Sequence, residues 1–99
     1  MSIKDRRDEI DAIDAELLRL LNRRARLAVK VGESKRAAGL SLSDRARERE
    51  IVRRACQANA GPLDEHAVAR LFRSIIRESR LVEASVMEQA SNHQKAQRR

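Results

Sequence analysis

Ninety-nine residues hold one domain at most, and a chain this short buries only a modest part of its surface unless a second chain adds to the core. Without Trp or Tyr, and with one Phe, three Gly and one Pro against abundant Ala, Leu, Arg and Glu, the composition disfavours sheets and predicts an all-α fold. Lys and Arg exceed Asp and Glu by 22 to 15, a formal charge of +7, which suits an anionic partner: nucleic acid, an acidic surface or a small polyanion.

The spacing predicts a first helix over 2–38. It contains no Pro and only Gly32, and apolar residues recur at Ile3, Ile10, Ile13, Leu17, Leu20, Leu27, Val31 and Ala38 as a heptad-like stripe. Gly39, Leu40, Ser41, Leu42 and Ser43 break that pattern. Ser43 or Asp44 then caps a short second helix that carries Ile51, Val52 and Ala55 and ends near Asn59. Gly61 and Pro62 mark the stop, and Asp64 is placed to cap a third helix. Its expected buried face is Val68, Leu71, Phe72, Ile75, Ile76, Val82 and Val86. Residues 1–90 form the expected domain, and the polar tail 91–99 is expected to fray.

By its rise per residue the first helix is roughly 55 Å long, against about 25 and 40 Å for the others, so one chain cannot cover its stripe. Two chains laying their first helices antiparallel around a shared core would cover it. An isolated coiled-coil hairpin is the plainer alternative. The single Cys56 rules out an intramolecular disulfide and reads as a small helix residue. With no signal peptide or long apolar segment, a reducing cytoplasm is the expected location and no membrane partner is expected.

Ionisable groups on a core stripe must be paired, hydrated or used. Arg24 stands where the first helix calls for a hydrophobe, and Lys35 follows about three turns later on the same side. Glu48 shares the apolar side of the second helix with Ile51 and Val52, Asp44 lies one turn earlier, and Arg47 adjoins. On the third helix Ser79 and Glu83, one turn apart, interrupt the line of Phe72 and Ile76. Each has a plain reading, since an Arg or Lys snorkels, a Glu sits on a wet face and a Ser bonds back to its own helix. Together, at matching phases on three helices, they predict a polar pocket inside a bundle that suits a small anion.

The run Arg7 to Asp14, the leucines at 17, 18, 20 and 21, Arg23 and Arg24, and the segment Leu27 to Lys35 resemble the all-helical AroQ class of chorismate mutases. Asp44 to Arg49, reading D-R-A-R-E-R, and Leu71 to Ser79, reading L-F-R-S-I-I-R-E-S, are similar to the same family. The resemblance covers roughly 7–86 and takes in both free-standing mutases and the mutase domain of bifunctional mutase/prephenate dehydratases. It implies a domain-swapped homodimer of three-helix chains, each site turning chorismate into prephenate without a cofactor or metal. It further implies that Arg24 and, from the other subunit, Arg7 grip substrate carboxylates, and that Lys35 donates to the ether oxygen. Asp44, Arg47, Glu48 and Ser79 would complete the pocket. Seventeen residues separate Arg7 from Arg24, roughly 25 Å of helix, so an antiparallel partner is needed to bring such a pair together.

Many members of that family place Gln as a second donor to the ether oxygen, where this chain has Glu83. An ionised carboxylate only accepts, so Glu83 does the amide's work only when protonated, and a mutase favoured by mildly acidic pH follows. Burial would raise its pKa and Lys35 would lower it. Two rival readings stand beside this one. An isochorismate pyruvate lyase would share the helical dimer and its cationic pocket. A nonenzymatic basic dimer binding nucleic acid would bind with steep salt dependence, though scarce aromatics and interspersed acids speak against nucleic acid. His66 and His93 lack partners at metal-ligand spacing.

Overall fold

The computed structural model describes the backbone of residues 2–97 and the side chains of 2–90 and Asn92. Three helices follow one another: α1 Ile3–Ala37, α2 Arg45–Ala58 and α3 Glu65–Gln97. No strand occurs among the described residues, in keeping with the all-α expectation.

Each helix begins where a short polar side chain satisfies a free backbone donor. Ser2 and Asp5 form a reciprocal capping box on α1, with both bonds at 3.1 Å. Asp44, rather than Ser43, caps α2 by accepting from the Arg47 N–H at 2.9 Å. Asp64 accepts from the Ala67 N–H at 2.7 Å at the start of α3.

The end of α1 is equally determined. Gly39 takes φ of 71°, which lets its N–H reach the Arg36 carbonyl and the Leu40 N–H reach the Lys35 carbonyl at 2.8 Å. These two bonds form a Schellman motif, and a side chain at the left-handed position would strain it. In the connection to α3, the Asn59 side-chain amide donates to the Leu63 carbonyl at 2.7 Å while its oxygen accepts from Gly61.

α3 is the spine, with α1 and α2 each packed on it. The core is small: Val68, Ala69 and Ile76, together with the hydroxyl-bearing Ser79, are the buried residues of α3 among those described. Leu71 and Val82, expected on the buried face, are instead exposed. At 100° per residue Leu71 lies roughly 80° and Val82 roughly 60° off the line of Val68, Phe72 and Ser79, on an exposed flank. α3 also runs past Ala90 to Gln97, so the expected polar tail begins inside the helix. Arg98 and Arg99 lie outside the described residues.

The stripe on α1 is left uncovered by the rest of the chain. Ile10, Ile13 and Leu17 are each at least half exposed, as are Leu27 and Val31. The chain is elongated, 64 × 30 × 15 Å, with a radius of gyration of 17.8 Å against about 13 Å for a compact domain of this length. Its accessible surface of 8242 Å² exceeds the roughly 5,700 Å² typical of a folded monomer of its mass. Among the described residues no helix is long and apolar enough to cross a membrane.

Candidate active site

Where α1, α2 and α3 converge, a cavity of about 280 Å³ is lined by Arg24 and Lys35 of α1, Arg47 and Glu48 of α2 with its cap Asp44, and Ser79, Arg80 and Glu83 of α3. Leu27, Val31, Leu42 and Ile76 supply apolar wall. Seven of the eight residues singled out in the sequence therefore share one cavity. The eighth, Arg7, is exposed near the start of α1, roughly 25 Å along the helix from Arg24.

Local structure explains why these side chains meet. Arg24 and Lys35 are eleven residues apart and project to one side of α1, and the Schellman turn fixes the backbone at Lys35. Ser79 is 6 % exposed, and its hydroxyl accepts from the Arg24 guanidinium at 3.0 Å. That bond holds one edge of the planar fork and leaves its other donors available. Gly32 is buried at the crossing of α1 and α3; a Cβ there would sit 3.4 Å from the Glu83 carboxylate, so the two backbones come close beside that group.

Burial pushes the Glu83 carboxyl above its ordinary value, and the nearby charges of Lys35, then Arg80, then Arg24 act in the opposite direction. Asp44 is held by its capping bond to the Arg47 backbone, while the Arg47 guanidinium lies 3.5 Å from Glu50 on the outer face of α2. Glu48 is ion-paired with Arg80 across the α2–α3 seam.

Sequence reasoning missed Arg80. It is adjacent to Ser79 and so lies about 100° off the interrupted stripe, where an arginine on a charge-rich helix looks like ordinary surface. The one available signal was its adjacency to a polar core residue. His66 lines a separate groove between α2 and α3 rather than this cavity, and the His93 side chain lies outside the described residues. Cys56 is a free, half-buried thiol whose Sγ lies 3.7 Å from the Glu65 carbonyl oxygen.

The cavity wall carries four cations, Arg24, Lys35, Arg47 and Arg80, against three acids, Asp44, Glu48 and Glu83. With Glu83 protonated the balance is four minus two, or +2, which complements a dianion. Such a site can fix two carboxylates, donate to a developing oxyanion and exclude part of the surrounding water.

Comparison with known proteins gives the same direction. The family model for chorismate mutase type II matches residues 6–84. A bifunctional chorismate mutase/prephenate dehydratase of Neisseria gonorrhoeae is 46% identical over 77 residues, 78% of this chain and 21% of that protein. The chain thus spans about a fifth of the length of such bifunctional relatives. A chorismate mutase of Methanocaldococcus jannaschii is 29% identical over 92 residues, covering 90% of this chain and 91% of that one. A solved chorismate mutase (form II) from Thermus thermophilus superposes with a TM-score of 0.81 at 33% identity, covering 83% of this chain and 93% of its own.

Proposed function

This chain belongs to the chorismate mutase type II family, and on that premise we propose that it rearranges chorismate to prephenate in aromatic amino acid biosynthesis. The observation that carries the reading is the convergence of Arg24, Lys35, Asp44, Arg47, Glu48, Ser79 and Glu83 on one cavity whose charge fits a dicarboxylate.

The rearrangement is intramolecular and calls for no nucleophile, metal or redox group. The protein's task is to hold the substrate in its folded, reactive conformer and to favour the charge distribution of the transition state. Arg24, steadied by Ser79, grips one carboxylate. As the carbon–oxygen bond breaks, negative charge grows on the ether oxygen, where the Lys35 ammonium interacts more strongly than it does with the ground state. Protonated Glu83 supplies a second donor there, favoured by its raised pKa. Glu48 and Asp44 offer acceptors to the ring hydroxyl, and Arg47 turns from Glu50 toward the carboxylates.

The site is completed by a second copy of the chain. The uncovered α1 stripe and a surface about 2,500 Å² above that of a compact monomer support an intertwined, domain-swapped homodimer. Antiparallel pairing of the α1 helices brings Arg7 of one copy to the cavity of the other, where it meets the second carboxylate. The enzyme's proposed place of action is the cytoplasm.

The test is loss of chorismate absorbance on adding the protein, with chromatographic identification of product. Prephenate is expected, with kcat reduced about a hundred- to a thousandfold in Lys35→Ala. Pyruvate and salicylate from isochorismate would replace the mutase with a lyase, and no turnover of either substrate would refute both.

A further inference from the structure

Arg80 stands between two cavities. One is the site above, and the other is an open groove of about 1260 Å³ between α2 and α3. Glu48, Ile76 and Arg80 line both. The groove side is mainly cationic: Arg45, Arg49, Arg53, Arg73 and Arg77 also line it, against the acids Glu48 and Glu65, and none of these five arginines has a carboxylate within ion-pair distance among the described residues. On the cavity side Arg80 meets the acids Glu48 and Glu83. With arginines in excess along the groove and Glu48 at the seam shared by both cavities, the Arg80 guanidinium is held on Glu48.

We propose that Arg80 is a positioning residue of this site, whose guanidinium pins the Glu48 carboxylate at the α2–α3 seam so that its free oxygen faces the substrate. The inference rests on the mutase reading. A carboxylate on a flexible stem makes a poor directional acceptor, and a planar fork bound to one edge fixes its orientation where a solvated ammonium would not. Arg80 also joins α2 to α3 by an ion pair, the one inter-helix ion pair among the described residues.

Arg80 is in addition one of the cations that oppose the effect of burial on Glu83, together with Lys35 and Arg24 of α1. From α2 the same cavity is faced by Arg47, Glu48 and the cap Asp44. Removing Arg80 leaves Glu48 unpaired and takes one cation away from Glu83, and both changes move Glu83 toward its protonated form.

The experiment compares Arg80→Gln, Arg80→Lys, Glu48→Gln and the Arg80→Gln/Glu48→Gln double variant with wild type in chorismate turnover across pH, alongside an NMR titration of the Glu83 carboxyl carbon. Arg80→Gln is expected to raise KM about tenfold with a smaller change in kcat, and to move the alkaline limb of the rate to higher pH. Arg80→Lys keeps the charge but not the fork, so it restores the limb and only part of KM. In the double variant the loss is expected to be no greater than in Glu48→Gln alone. Additive losses, or an unchanged KM with an unmoved limb, would overturn the proposal. If wild type does not turn over chorismate, the mutase reading fails instead; the NMR midpoint of Glu83 still decides the placement of Arg80, and an unmoved midpoint in Arg80→Gln overturns it.

Discussion

Burial holds the Glu83 carboxyl above its usual range although three cations pull the other way, and this ties both rate and stability to pH. If the protonated acid is the second donor, kcat/KM falls as pH rises through the Glu83 pKa, and Glu83→Gln abolishes that alkaline limb. An identical limb in the Gln variant would remove Glu83 from the chemistry. Stability runs in the same direction. The folded chain binds this proton more tightly than the unfolded one, so the contribution of Glu83 is complete below its unfolded value and is lost as pH rises through the folded one. The Tm of Glu83→Gln relative to wild type should therefore climb across that interval and then level off. At this scale the sequence was legible wherever a charge or hydroxyl interrupted an apolar stripe, as Arg24, Ser79 and Glu83 do. The bond from Arg24 to Ser79 was not legible, because it joins residues 55 positions apart through the angle at which two helices cross. Nor was the ion pair that makes Arg80 part of the site.

Among the elements, the turn after α1 links local backbone chemistry to the site. Nothing lies within 4 Å of the position a Gly39 Cβ would occupy, so Gly39→Ala meets strain rather than a clash. A cost of about 1 kcal/mol in unfolding free energy is expected from forcing an L side chain to positive φ, with Gly39→Asn milder. Denaturant midpoints measure both, and an Ala variant as stable as wild type would show that the Schellman turn does not hold the end of α1. The start of α3 was readable at Asp64 and that of α2 to within Ser43 or Asp44, because such caps act through a short-range bond, whereas the Ser2 capping box on α1 was not singled out in the sequence. The length of α3 was not, since its apolar periodicity fades near Ala90 while no Gly or Pro forces the backbone to stop. Leu71 and Val82 were misplaced for a related reason: periodicity gives the centre of a buried face, and only packing gives its edge.

For the whole molecule, the chain is elongated and leaves much of its apolar surface uncovered. A helix of 35 residues exposes its stripe along most of its length, and the three helices enclose a core of few side chains. A chain stabilised chiefly by its copy should show a thermal midpoint that rises with protein concentration, whereas a self-sufficient monomer would unfold at one temperature throughout. Length and periodicity made the uncovered stripe on α1 legible. Arg7, which the family resemblance alone singled out, is exposed on the first turns of α1 and lies apart from the cavity of its own chain.

The most direct measurement mixes two crippled variants, Arg7→Ala and Lys35→Ala, each purified alone, then unfolded and refolded together in equal amounts. In a shared-site dimer the mixed species has one site with Lys35 from one copy and Arg7 from the other, both intact. Random pairing then restores about a quarter of wild-type prephenate formation from two nearly inactive parents. Activity no higher than the mean of the two parents would contradict a chorismate mutase whose sites are built across two chains.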